Sequence, residues 1–215
     1  MPSRIIKIKA LFLALLFLFA AQAWSAVSAG GDRPLVVYLD PHYGGKDNGP
    51  VITKEAKGKD ITLAIARAIQ QELTQNTIKA YLSREDDVYI PRGDRWFFAR
   101  KKGADIYLSI RLNLQDDDCI QIFHAAKQLG ELKTESIRLA SALSKSVKSA
   151  APFCTVVRTK KDVIFETADF PAVIVEFGVA RSDRRGAYVL DDEKTGKIAR
   201  AIAAGAKEFI EGASR

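Results

Sequence analysis

Leu35-Val36-Val37-Tyr38-Leu39, followed at once by Asp40-Pro41-His42-Tyr43-Gly44-Gly45-Lys46-Asp47, is the stretch on which the reading of this 215-residue chain turns. Five apolar residues in a row are long enough for a strand buried on both faces and too short for a helix. The segment from Asp40 to Val51 is rich in Gly, Pro, Asn and Asp, so it reads as a loop, and one that carries function. A buried strand opening into such a loop is the first unit of an α/β fold, where ligands sit at the carboxyl ends of strands.

The pattern continues outward from there. Asp60 to Leu73 places Ile61, Ala64, Ile65, Ala68, Ile69 and Leu73 at helical spacing. Ile78 to Leu82 reads as a strand, Pro91 to Lys102 as a helix closed by Gly103, and Asp105 to Ile110 and Ile120 to Phe123 as strands. Glu131 to Ala150 reads as a helix stopped by Pro152, Val163 to Phe165 and Ala172 to Val175 as β-rich runs, and Glu193 to Glu211 as a closing helix. The alternation predicts a single α/β domain, about Arg33 to Ala213, with a mostly parallel twisted sheet flanked by helices.

Upstream, Met1 to Ala29 has a different character. Arg4, Lys7 and Lys9 precede an unbroken apolar run, Ala10 to Ala20, and small-residue cleavage sites follow at Ala21-Gln22-Ala23 and Val27-Ser28-Ala29. That order is a secretory signal peptide; the alternative is an uncleaved membrane anchor, although the run is short of the ~20 residues that span a bilayer. An exported protein in the periplasm or cell envelope is expected. Of 33 basic residues three lie in this segment, leaving 30 against 26 acidic ones. So mild a balance suits anionic wall polymers or lipid headgroups, and with no nucleic-acid motif it excludes a nucleic-acid partner. Hydrophobic residues at 47% exclude a disordered chain. Export permits a Cys119–Cys154 bridge, with two separate buried thiols as the alternative.

Four strand ends carry polar clusters: the Asp40 loop, Ser83-Arg84-Glu85-Asp86-Asp87, Ser109-Ile110-Arg111-Leu112-Asn113, and Val175-Glu176-Phe177-Gly178. Their order and spacing resemble the zinc-dependent N-acetylmuramoyl-L-alanine amidases of bacterial cell walls, from about Leu35 to Ile210. Lys59-Asp60, Ser83-Arg84, Asp87, Pro91, Arg95, Gly103-Ala104-Asp105 and Pro171 to Gly178 add to the resemblance. It implies two histidines and a glutamate on Zn²⁺, an open position for water, and a second glutamate as general base, together cleaving the bond between muramic acid and the stem-peptide L-alanine.

Position by position, the resemblance implies that the ligands are gone. Tyr43 stands where a ligand histidine is expected, with His42 one place early; Gly58 stands for the ligand glutamate and Arg111 for the second histidine. Glu176 keeps the general-base position. A guanidinium has no lone pair for a metal, and a tyrosine ligates only when ionised. The expectation is therefore a degenerate amidase-like protein with no cofactor, which binds peptidoglycan, a muropeptide or an envelope protein, with an Arg111–Glu176 ion pair in the former metal space. The alternative is an active amidase with zinc on a remodelled site drawn from His42, Glu55 and His124.

Arg111, Asn113 and Arg181 are candidate substrate contacts; Arg181, Arg184 and Arg185 alternatively form a solvated basic loop. Trp96, Phe97 and Phe98 are expected to pack into the core, a sugar platform being the alternative. Asp116-Asp117-Asp118 reads as an acidic loop without the ligand spacing of a calcium site.

Overall fold

The computed structural model describes residues 33–75, 78–115, 118–126, 130–150, 154–180 and 187–213. The expected signal peptide and Pro152 lie outside the described residues, as do Asp116, Asp117, Arg181, Arg184 and Arg185. Leu35–Arg215 forms one compact unit, which contains the sheet and the helices.

Six strands make one sheet: β1 Val36–Pro41, β2 Lys79–Leu82, β3 Ile106–Gln115, β4 Ile120–Ala125, β5 Thr155–Lys160 and β6 Ala172–Ala180, in the order β2-β1-β3-β6-β4-β5. β2, β1, β3 and β6 pair in parallel; β4 lies antiparallel to β6 and carries β5 parallel to itself. The helices are α1 Gly58–Thr74, α2 Arg92–Lys101, α3 Gly130–Ala150, α4 Val163–Thr167 and α5 Asp192–Ala213, with a 3₁₀ turn at Tyr188–Leu190. The mostly parallel α/β domain expected from the sequence is present.

Burial explains the layering. β1 is covered on both faces, as its unbroken apolar run requires. On one face Val37, Leu39, Leu108, Ile110, Val173, Val175 and Ile122 pack beneath α1, α3 and α5, whose Ile65, Ile69, Leu139, Leu143, Ile198 and Ile202 recur at helical spacing. Each such side chain contributes about 1.5–3 kcal/mol when fully buried. Gly205 allows α5 to approach α3 closely: a Cβ there would stand 2.9 Å from the Leu143 Cα. On the other face Tyr38, Tyr107, Ile174 and Phe123 pack under α2 and α4 through Ala99, Ile164 and Phe165.

Three local expectations change. Val163–Phe165 is the helix α4, not a strand, because the Asp162 side chain accepts a hydrogen bond from the Ile164 amide and caps the turn. β5 was not expected; it is short, at the sheet edge, and mostly polar. β3 and β6 outrun their apolar cores, since their register continues to Gln115 opposite Ala180. Arg111 and Glu176 therefore lie inside strands rather than beyond their ends.

Candidate functional site

Period-2 alternation puts Asp40, Ser109, Arg111, Asn113 and Glu176 on the face that bears α2 and α4. Asp40 is completely buried at the end of β1. It accepts hydrogen bonds from Ser83 Oγ at 2.7 Å, Tyr107 OH at 2.7 Å and Ser109 Oγ at 3.2 Å, and pairs with Arg95 Nη1 at 2.5 Å. Burial alone would raise its pKa, but the Arg95 charge, the neighbouring His42 and the Ser83 hydroxyl hold it well below the usual carboxylate range. Arg84 laces the loop behind β1, with Nε on the Pro41 carbonyl at 3.0 Å and Nη2 on the Lys59 carbonyl at 2.7 Å. Asp87 receives the Gly45 amide at 2.7 Å and Lys59 Nζ at 2.6 Å. Ser83, Arg84, Asp87, Arg95 and Lys59, all part of the family resemblance, thus hold the Asp40 loop in shape.

Arg111 and Glu176 are register neighbours, yet the ion pair expected between them does not form. Arg111 is 8% exposed; its Nη1 meets Asp162 Oδ2 at 2.6 Å and its Nε donates to Ser109 Oγ at 3.1 Å. Side chains of neighbouring strands project side by side away from the sheet, so a long arginine reaches what covers the sheet rather than what lies next to it. Here the cover is the β5–α4 junction. Burial works against the Arg111 charge, but Asp162 more than restores it, and Asp162 is held below its ordinary value in return. The same junction supplies Lys160 to Glu176, its Nζ 2.8 Å from Oε2, while Asn113 of β3 donates its Nδ2 to Oε1 at 3.0 Å.

Tyr43 sits in the left-handed region at φ 68°, which disfavours a side-chain-bearing residue. Its ring covers Gly49, where a Cβ would come within 2.6 Å of it, and its hydroxyl donates to the Leu112 carbonyl at 2.6 Å. Burial pushes the phenol up to about 12. At Gly58 a Cβ would stand 2.9 Å from the Pro50 ring, so the loop has closed over the space a longer side chain would take. His42 is buried, with Nδ1 lacking a hydrogen-bond partner and 3.6 Å from Asp40 Oδ2; burial lowers its pKa. Among the described residues, no three of His, Cys, Asp and Glu converge as a cation cage.

A family model described as N-acetylmuramoyl-L-alanine amidase matches residues 37–208. The chain belongs to this family. It is 42% identical over 85 residues to the amidase AmiA of Escherichia coli K12, covering 40% of this chain and 29% of AmiA. It is 40% identical over 83 residues to AmiC of Escherichia coli O6:H1, covering 38% of this chain and 20% of AmiC. The chain thus matches less than a third of either relative's length. An N-acetylmuramoyl-L-alanine amidase of Clostridium difficile 630 superposes with a TM-score of 0.74 at 23% identity, over 83% of this chain and 97% of that one, and so has the same fold.

In this amidase fold the remaining candidates scatter. Glu55 is exposed and bonded to Thr53; His124 is half-buried on β4, its Nδ1 3.2 Å from the Ala125 carbonyl. The sheet face of β4 that carries His124 is opposite to that of Glu176, because Gln121 is the register partner of Glu176. Cys119 and Cys154 form a disulfide that ties the start of β4 to the start of β5. Trp96 packs half-buried against the α2 core, but Phe97 and Phe98 are exposed, a correction to their expected burial, because Arg95 and Ala99 take the inward face of the helix. Sequence reasoning missed Lys160 and Asp162. An aspartate directly before Val163-Ile164-Phe165 is a helix N-cap signal, and would have pointed to α4 and to the carboxylate beside Arg111.

Proposed function

We propose that this chain is a degenerate amidase-fold protein of the cell envelope that binds peptidoglycan, a muropeptide or an envelope protein without hydrolysing the muramoyl–L-alanine amide. Export with Met1–Ala29 as signal peptide, and Arg33–Ala213 as the amidase-like domain, belong to the same proposal. The observation that carries it is Arg111, a buried guanidinium fastened to Asp162 where the family resemblance places a zinc-ligating histidine. A guanidinium offers a metal no lone pair, and its fixed charge opposes a cation. The Tyr43 hydroxyl is committed as a donor and kept protonated by burial, and position 58 has neither side chain nor room for one. These residues do not fit a zinc ion. Glu176, tied to Lys160 and Asn113, is then a structural carboxylate. Asn113, exposed beside it, and Arg181 are the groups left to meet a muropeptide.

The test is incubation of the purified chain with sacculi. Co-sedimentation with no release of stem peptides is expected. Release that disappears in Glu176→Ala would overturn the proposal. One observation favours the second reading, an active amidase on a remodelled zinc site: the buried His42 imidazole with an unbonded Nδ1. Loss of both zinc and hydrolysis in His42→Ala would establish that reading.

A further inference from the structure

Helix α2 turns two phenylalanines to the outside. Phe97 is 43% exposed and Phe98 40%, while Arg95 and Ala99 point inward. Trp96, Phe97 and Phe98 form a continuous aromatic strip with successive ring centroids 6.2 Å apart. Cations are frequent along the same helix. Arg92, Arg100, Lys101 and Lys102 lie within eleven residues that hold one acid, Asp94. Arg100 reaches Asp169 at 3.2 Å, but Lys101 and Lys102 have no carboxylate partner among the described residues. They perch instead over aromatic rings, Lys101 Nζ 4.5 Å from the Phe97 centroid and Lys102 Nζ 4.9 Å from that of Tyr81.

From this face we infer a docking surface for an anionic phospholipid bilayer. Apolar rings beside unpaired ammonium groups match the layered chemistry of a membrane interface, where rings enter the acyl boundary and phosphates meet the cations. A glycan fits less well. Sugars stack on open ring faces, and a lysine already covers the Phe97 ring; Asp94 is the one side-chain carboxylate on the helix to accept a sugar hydroxyl. The inference stands whether or not the Glu176 site hydrolyses anything. Docking by α2 would hold the face that carries Asn113 and Glu176 at a fixed attitude to the bilayer, since Arg95 of the same helix anchors Asp40.

The experiment uses the full chain and vesicles containing about one third phosphatidylglycerol in phosphatidylcholine. Trp24→Phe removes the indole of the N-terminal segment, and Phe97→Trp places one on the outward face, so the signal reports this face even if the apolar N-terminal run also binds lipid. The expected result is a blue shift and quenching by brominated lipid in the anionic vesicles, absent with phosphatidylcholine alone. Adding Lys101→Gln and Lys102→Gln should weaken this docking by about 30-fold, and salt near ~1 M should suppress it. The unfolding midpoint should stay unchanged, because both lysines are exposed. Absence of quenching, or quenching indifferent to lipid charge and to the lysine substitutions, would overturn the inference. So would a Phe97→Ser, Phe98→Ser variant that loses sacculus binding while its lipid binding is intact, which would assign the face to glycan.

Discussion

Asp40 and Glu176 are buried carboxylates on the same face of one sheet, held in opposite ways. Asp40 is fully enclosed and draws donors from three separate segments: Ser83 after β2, Arg95 on α2, and Tyr107 and Ser109 on β3. Glu176 has two partners, one of which, Lys160, is a third exposed and sits on the edge strand. The first arrangement is over-determined and belongs to the scaffold. The second hangs on the β5–α4 junction, which alone supplies both Lys160 to Glu176 and Asp162 to Arg111. In this amidase fold the frame around β1 is tied by many hydrogen bonds, while the centre of the face is occupied by charges that neutralise one another.

Removing Arg95 should have the largest effect. Arg95→Ala leaves Asp40 charged, buried and short of its cation, at a cost of about 3–5 kcal/mol, read as a fall in the urea midpoint. Next, Cys119→Ser with Cys154→Ser opens a loop of sequence separation 35 and should cost about 2–4 kcal/mol, measurable against the oxidised, disulfide-bonded wild-type chain. Asp162→Asn keeps the shape but removes the charge on Arg111, for about 1.5–3 kcal/mol by the same urea assay. Lys160→Ala should cost about 1 kcal/mol or less, because the lysine is partly solvated. An equal loss from Arg95→Ala and Lys160→Ala would erase the distinction between the two carboxylates.

Acid sharpens the same comparison. Asp40 and Asp162 both have folded pKa values below their unfolded ones, so their stabilisation is full above pH ~4 and fades as pH falls through the depressed values. Urea midpoints should therefore drop on going from about pH 6 to about pH 3. Asp162→Asn should flatten part of that drop and leave the Asp40 part in place. An unaltered slope in that variant would mean that the Arg111–Asp162 pair does not contribute.

The two regions also differ in how far they could be read from the chain. The β1 run and the helical spacing of Ile61, Ile65 and Ile69 led to the frame because burial period is a local signal, and the Ser83, Arg84, Asp87 and Arg95 pattern led to it through the family resemblance. The partners of Arg111 and Glu176 were not legible. They depend on β5, an edge strand with little apolar alternation, and on Asp162, whose capping role was hidden by the β-branched Val163 and Ile164 behind it. The Arg111–Glu176 pairing followed from adjacency in the sheet, and adjacency failed because Arg111 reaches Asp162 above the sheet while Glu176 is met by Asn113 and Lys160 of other strands. Phe97 and Phe98 were misread for a related reason: apolarity alone does not say which side of a helix faces inward.

Tyr43, Gly58 and Arg111 together argue against a bound metal, and the most direct measurement is the metal content of the purified chain after zinc exposure and desalting. Retention of far less than one zinc per chain is predicted, unchanged in His42→Ala. About one zinc per chain, lost in His42→Ala, would contradict that chemistry and place a working metal site on this face.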